Sequence, residues 1–334
     1  MREKPPIIWI EADRLPARYF LNSINIHQEL FPNRRKIVVT NSRFAREYRK
    51  YPVEIIEIES VKPSNLTIKF ESISKKWTHN RQQLIYWKNT TKRFFHLYDA
   101  LLSLAMRSCI HLESDNILFD ISYLDSILRS GFNKISYPKQ ADGVGCASVL
   151  LIGNLNAFSE FLKYICANWQ KIDSTDMTLL GEFEVKNKLA EYLPSGDKEE
   201  LHEQVLFDAG TIGHYFLGGE ARNYRFPSSR RGLIDRSKGS FSPQYFKICL
   251  DKYGKPILKN NINNKILKLQ NVHVHSKRIP NSTLRLIHLL EKESSTSRNL
   301  FWRTGKLDLL VSFERFFSFT NRKILQRKID VRFR

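Results

Sequence analysis

The sequence predicts an α/β protein in which a mostly parallel sheet is flanked by helices, and three observations lead there. Short apolar, β-branched runs at residues 7–10, 36–40 and 53–58 are separated by helical stretches, and strand, helix and strand at this spacing form the parallel unit. The most regular apolar period in the chain, Leu84, Trp87, Phe94, Tyr98, Leu101 and Ala105, predicts a long helix over residues 81–105. That helix stops at Arg107-Ser108, just ahead of an apolar run that carries Glu113-Ser114-Asp115 at its polar end. Carboxylates at the C-terminal end of a strand lie where α/β sheets bind their ligands.

Taken in order, the first strand ends at Glu11-Ala12-Asp13-Arg14, and a helix with Tyr19, Phe20, Ile24 and Ile26 follows it. No G-x-G-x-x-G follows that strand and no G-x-x-x-x-G-K-[ST] occurs anywhere, so neither a dinucleotide fingerprint nor a phosphate-cradling P-loop is supported. Beyond the acidic segment, residues 135–137 and 147–152 read as strands and 155–169 as an amphipathic helix. Residues 170–200 are polar and mixed, with Asp173, Asp176 and Glu182 among them. Asp208 then introduces a glycine-rich stretch with Gly210, Gly213, Gly218 and Gly219, which reads either as backbone packed close to something or as a tight loop. Residues 222–265 read as basic and loop-dominated. Residues 271–277, Asn-Val-His-Val-His-Ser-Lys, alternate like a strand with His273 and His275 on one side. From Arg285 to Arg334 twelve Lys and Arg face five Asp and Glu, interleaved with Phe301, Trp302, Phe313, Phe316, Phe317 and Phe319. The expected division is therefore a catalytic domain over residues 1–284 and a basic, aromatic-rich helical extension over 285–334.

Composition narrows the class. With 42% hydrophobic and 12% aromatic residues the chain is globular, and 334 residues bury a substantial core. No apolar run reaches membrane-spanning length, the N-terminus has no cleavable signal pattern, and four scattered cysteines form no C-x-x-C. A soluble cytoplasmic protein is expected. The formal charge of +20 predicts an anionic partner, whether nucleic acid, an anionic membrane face or a phosphate-bearing substrate, without choosing among them.

Glu113 and Asp115 are two residues apart, so on a strand they project to the same side. Two such carboxylates repel unless a cation sits between them, and hard oxygen ligands suit Mg²⁺ or Mn²⁺. Alone, the triplet reads first as a solvated turn after a buried strand. The order of its surroundings singles it out: α/β units, a long helix, an E-S-D-N acid pair, a glycine-rich segment behind an aspartate, and a late H-V-H-S-K.

Over roughly residues 5–280 this order resembles the nucleotide-sugar-dependent glycosyltransferases of the GT-A type, especially bacterial and viral transferases of surface glycans. The resemblance implies a GT-A-like, Rossmann-like mixed sheet and a divalent ion, Mn²⁺ or Mg²⁺, held against the donor diphosphate. Glu113-Ser114-Asp115 matches the D-x-D position with Glu in place of the first Asp, which also leaves room for an inactive, transferase-like binding module. The implied metal ligands are Glu113, Asp115 and a late histidine, His275 ahead of His273. The donor side takes in Glu11, Asp13, Thr40, Arg93, Asp115 and Lys277. Asp208 is the first candidate for a general base, with a helix cap as its alternative reading, and Gly218 and Gly219 stand on the acceptor side. The implied partners are a nucleotide-sugar donor and a glycan or lipid-linked glycan acceptor. The basic extension would hold the enzyme at an anionic inner membrane face, or simply pack as a terminal helix. A nucleic-acid-binding protein is the main rival, and steep salt-dependent retention on DNA or RNA would mark it. A phosphohydrolase built on the H-x-H pair is a further one.

Overall fold

The computed structural model describes residues 4–75, 81–169, 175–196, 204–218, 241 and 243–296. Its first half alternates strand and helix: β1 (Ile7–Glu11), α1 (Arg18–Leu30), β2 (Lys36–Thr40), α2 (Ser42–Tyr48), β3 (Glu54–Glu57), α3 (Asn65–Lys75), α4 (Arg81–Ser103) and β4 (Cys109–Leu112). β1 pairs in parallel with both β2 and β4, and β2 with β3. The chain continues through β5 (Asn116–Leu118), α5 (Ser122–Arg129), β6 (Ile135–Ala141), β7 (Val144–Gly145), β8 (Val149–Ile152), α6 (Leu155–Asn168), α7 (Asp176–Lys186) and β9 (Ala190–Leu193). β8 enters antiparallel between β4 and β6, and β9 adds to β6 in parallel. The resulting eight-stranded sheet runs β3-β2-β1-β4-β8-β6-β7 with β9 on β6, a mixed, mostly parallel α/β sheet.

The apolar runs follow from this burial. A parallel strand covered by helices on both faces has no solvent side and is apolar throughout. Ile8, Ile10, Ile37 and Val39 point to the face holding Phe70 of α3 and Phe94, Phe95 and Leu101 of α4. Ile7, Trp9 and Val38 point the other way, onto Phe20 and Ile24 of α1, Tyr48 of α2 and Leu124 of α5. Phe70 stacks on Phe95 with ring centroids 4.4 Å apart, fixing α3 against α4.

The C-terminal part builds a second, smaller layer from β10 (Val205–Leu206), α8 (Thr211–Leu217), β11 (Phe246–Leu250), β12 (Pro256–Asn260), β13 (Ile266–Leu269), β14 (Asn271–His273) and α9 (Thr283–Thr296). Four strands form a sheet in the order β10-β13-β12-β11, whereas β14 leaves it to pair with β5. Ile117 and Phe119 share a core with Leu258, Leu267, Leu269, Val272, Leu286 and Leu290, which joins the two layers.

Several expectations are corrected. The acid pair stands just past its strand and not on it: β4 ends at Leu112, the Asn116 N–H donates to the Glu113 carbonyl at 3.0 Å, and β5 begins after that turn. The stretch 222–265 is not all loop, because β11 and β12 form a hairpin whose turn is closed by the Asp251 carboxylate accepting the Tyr253 and Lys255 N–H groups at 2.8 Å each. Within residues 170–200 stand α7, opened by a Thr175–Thr178 capping box, and β9. α9 runs across the boundary expected after residue 284, and its Leu286 and Leu290 are fully buried; residues 297–334, which hold most of the expected extension, lie outside the described residues. Among the described residues no helix is long and apolar enough to cross a membrane.

His27 ties α1 to β5 from inside the core. Its Nδ1 donates to the Ser23 carbonyl at 2.7 Å, its Nε2 accepts the Leu118 N–H at 3.1 Å, and its ring sits edge-on to Trp9. Both nitrogens are committed to the neutral form, and burial pushes the imidazole down to about 4 from 6.5. A histidine lowered on folding binds fewer protons in the native than in the unfolded chain between these values, so stability is full above pH 6.5 and is lost as pH falls toward 4. Urea unfolding at pH 7 and pH 4 should show His27 contributing a loss of up to about 3 kcal/mol. His27→Gln should flatten that dependence; an unchanged slope would refute the assignment.

Candidate functional site

The acid turn sits at the C-terminal end of β4, in the middle of the sheet. Antiparallel pairing of β5 with β14 sets His273 opposite Asn116, one residue past Asp115, and the Val274 N–H donates to the Asp115 carbonyl at 2.8 Å. Main-chain pairing therefore delivers an imidazole to the two carboxylates. His273 Nε2 lies 3.2 Å from Glu113 Oε2 and 3.3 Å from Asp115 Oδ2. Ligand atoms of Glu113, Asp115 and His273 all lie within 4.8 Å of one another, a group able to hold a metal ion. Two carboxylates and one imidazole are a donor set that suits a divalent cation such as Mn²⁺ or Mg²⁺, so the residues present fit the ion the resemblance implies.

Cations crowd this turn from three directions. Arg93, projecting from α4, donates one Nη to Glu113 and the other to Asp176 Oδ2 at 2.8 Å. Lys277 donates its ammonium to Asp115. Arg14, just past β1, grips Glu11 with two hydrogen bonds of 2.8 and 2.6 Å and reaches Ser114 Oγ at 3.0 Å. These contacts set the protonation pattern. Burial pushes Glu113 and Asp115 up, but Arg93 and His273 hold Glu113 below the usual carboxylate range, and His273 and Lys277 hold Asp115 well below it. Burial pulls the His273 imidazole down, yet Asp115 and Glu113 outweigh it and keep the ring charged well above the ordinary histidine value. His275 is driven well below that value by burial and by the charged His273 beside it. Asp176 rises to about 6 because burial exceeds the help it receives from Arg93.

The residues expected to form the site distribute as follows. Glu113, Asp115, Arg93 and Lys277 converge on one another. Of the two histidines it is His273, not the favoured His275, that reaches the carboxylates; β14 ends at His273, and the His275 ring stacks behind it with centroids 4.1 Å apart. Glu11 is buried and joined to the turn through Arg14, while Thr40 donates its hydroxyl to the Glu11 carbonyl at 2.8 Å. Asp13 is exposed on the loop after β1, its N–H held by the Asn41 side chain at 2.6 Å. Gly218 caps the end of α8 with φ 84°, and Gly219 lies outside the described residues.

The Asp208 carboxylate is enclosed by main-chain donors. Its Oδ1 accepts the N–H groups of Gly210 and Ile212 at 2.7 and 2.9 Å, and its Oδ2 those of Gly213 and His273 at 2.8 and 3.0 Å. These four contacts match the about four lone-pair sites a carboxylate offers. Asp176 and Glu182 of α7 are also engaged, Asp176 by Arg93 and Glu182 by the Tyr164 hydroxyl. The reading of the sequence missed Arg14 over Ser114 and the Asp176–Arg93–Glu113 chain, for which spacing along the chain holds no signal. A cavity of about 270 Å³ opens between α3, α4 and the ends of β2 and β3, lined by Val39, Ile58, Pro63, Lys92, His96 and Asp99.

No family model matches the sequence, and no curated protein matches it. Solved structures overlap with part of the fold at low identity. Mouse xyloside xylosyltransferase 1 is 12% identical over 57% of this chain and 85% of its own, with a TM-score of 0.40. The galactosyltransferase LgtC, in complex with donor and acceptor sugar analogues, is 14% identical over 71% of this chain and 86% of its own, with a TM-score of 0.36. A cytidylyltransferase from Leptospira borgpetersenii is 14% identical over 60% of this chain and 80% of its own, also with a TM-score of 0.36. These overlaps assign no activity to the chain.

Arg93 is the counter-charge for two buried acids, so removing it strands both. Arg93→Gln should cost about 3–5 kcal/mol in urea unfolding at pH 7. The loss should shrink when Asp176→Asn is added, and strict additivity would show that the two do not act through one network.

Proposed function

We propose that this protein is a glycosyltransferase that moves a sugar from a nucleotide-sugar donor to a glycan or lipid-linked glycan acceptor, with a divalent ion held by Glu113, Asp115 and His273. The observation that carries this reading is the convergence of those three side chains at the C-terminal end of β4, within 4.8 Å of one another. Any α/β sheet binds ligands at that edge, and few arrangements other than a metal site justify burying two carboxylates against one imidazole.

In the reaction the bond between the sugar's anomeric carbon and the donor diphosphate breaks, and a bond to an acceptor hydroxyl forms. Mn²⁺ or Mg²⁺, when bound, supplies the positive charge that neutralises the departing diphosphate. Glu113 offers Oε2 to it, because Oε1 is engaged by Arg93. Asp115 offers Oδ2, which Lys277 and His273 share in the absence of an ion. Lys277, whose ammonium stands at Asp115, would supply a cation near the leaving group. Arg93 holds Glu113 in place and stays outside the reaction, since Glu113 and Asp176 occupy it.

The nucleoside half belongs at the ends of β1 and β2, by Glu11, Asp13 and Thr40, and the cavity beside β2 and β3 lies two to three strand spacings, about 10–14 Å, from the acid turn. Burial pushes His96 in that cavity down to about 4, so it offers a neutral ring to a ligand. Gly218 is assigned to the acceptor side. The surplus of positive charge supports an anionic donor and a weak hold on an anionic membrane face.

A panel of nucleotide sugars scanned by thermal melting, with and without Mn²⁺, tests the reading. One nucleotide sugar should raise the melting temperature only when Mn²⁺ is present, and should be consumed when acceptor is added. Asp115→Ala should abolish the Mn²⁺-dependent shift and lower turnover at least a hundredfold. Full Mn²⁺-dependent turnover in that variant would sink the assignment.

A further inference from the structure

The four N–H groups gathered on the Asp208 carboxylate join two elements of the site. Among the described residues β14 pairs with β5 along one edge only, and no described strand meets the N–H groups on its other edge. Asp208 Oδ2 takes one of them, the N–H of His273, at 3.0 Å. The remaining donors on this carboxylate, from Gly210, Ile212 and Gly213, come from the first turn of α8, so one side chain fastens a helix start to the strand that carries His273.

Asp208 is itself held on both sides. Its N–H donates to Asn271 Oδ1 at 2.8 Å, and its carbonyl accepts Asn271 Nδ2 at 3.1 Å and the Ser148 hydroxyl at 3.3 Å. The glycines of α8 leave no slack. A Cβ on Gly213 would lie 1.9 Å from the His273 carbonyl oxygen, and one on Gly210, at φ 112°, 2.5 Å from His275 Nε2. The helix therefore rests directly on the backbone of the histidine strand.

His273 needs this support because its ring has little of its own. A ligating imidazole is normally aimed by a carboxylate or carbonyl on its second nitrogen. Here Nδ1 faces the Cys146 thiol at 4.0 Å, a weak partner. The aim of Nε2 is consequently set through the main chain. We propose that Asp208 is the positioning residue of His273, fixing where its Nε2 stands relative to Glu113 and Asp115. This rests on the reading of those three residues as a divalent-ion site, and it assigns Asp208 no contact with substrate.

The test is Mn²⁺ binding by the full chain, followed by the electron paramagnetic resonance of free Mn²⁺, beside the melting temperature of each variant without metal. Asp208→Asn places an amide donor against donors, and Asp208→Ser keeps one oxygen for the α8 turn while losing reach to His273. Both should bind Mn²⁺ about tenfold or more weakly at a temperature where they are fully folded, with Asp208→Ser melting closer to the wild type. Wild-type affinity in either folded variant overturns the proposal, and so does failure of both to fold, which would make Asp208 a residue of folding alone. Asp115→Asn is the control. If it binds Mn²⁺ as well as the wild type does, or if the wild type binds none, the metal reading falls and takes this proposal with it.

Discussion

The short ladder between β5 and β14 is the constraint on which the site depends. It spans only the pairs Asn116 with His273, Ile117 with Val272 and Leu118 with Asn271, yet it joins segments far apart in the chain. Everything chemical is arranged around its end. The turn that precedes β5 carries Glu113 and Asp115, and the strand that answers it carries His273 and leads on to Lys277. Ile117 and Val272, at its centre, are fully buried, so the hydrophobic core pins the register that sets the imidazole against the carboxylates. A slip by one residue would turn His273 to the opposite face.

The electrostatic consequence is a site that carries its own counter-charges. Asp115 and Asp176 are buried, with side chains 6% and 4% exposed, and Glu113 is only a little more open. Unpaired, such groups would neutralise or destabilise the fold by several kcal/mol each. Arg93 serves Glu113 and Asp176 together, Lys277 serves Asp115, and a protonated His273 lies between the pair. On the proposed reading, a divalent cation held by Glu113, Asp115 and His273 would have to replace the His273 proton and compete with Lys277 for Asp115. Binding of this kind releases a proton, and it weakens as pH falls.

Most of the central sheet was legible in the sequence because its strands are buried on both faces, and that leaves uninterrupted apolar runs such as Ile7-Ile8-Trp9-Ile10 and Ile37-Val38-Val39. The long helix α4 was legible from its period. The acid pair was expected at the end of a strand, whereas a turn closes between Glu113 and Asn116; four polar residues between two apolar runs fit both. The choice of histidine went to His275 because alternation places both rings on one side, whereas β14 stops at His273 and the chain bends. Asp208 shows the limit most plainly. Its place ahead of a glycine-rich segment fits a base and a cap alike, and spacing does not show the four N–H groups that gather on it. Arg14 and Asp176 act across the fold and leave no mark on local spacing.

Two of the five non-glycine residues with positive φ among the described residues stand on segments that border the acid turn. Asp13 and Lys277 both have positive φ, 61° and 58°, although neither is glycine. Such conformations cost of order 1 kcal/mol or more and persist where the surroundings impose them. At Lys277 the imposing contact is the turn in which its N–H donates to the Val274 carbonyl at 2.9 Å, immediately after the strand ladder ends. The turn swings the Lys277 ammonium back over Asp115 and the Tyr19 ring instead of out to solvent. At Asp13 the Asn41 side chain holds the N–H and draws the loop after β1 toward the end of β2. Asp13 and Lys277 thus belong to the two segments that border the acid turn, one following the first strand and one beyond the last, whereas the other non-glycine residues with positive φ among the described residues, Ala105, Gln204 and Asn264, lie on other segments.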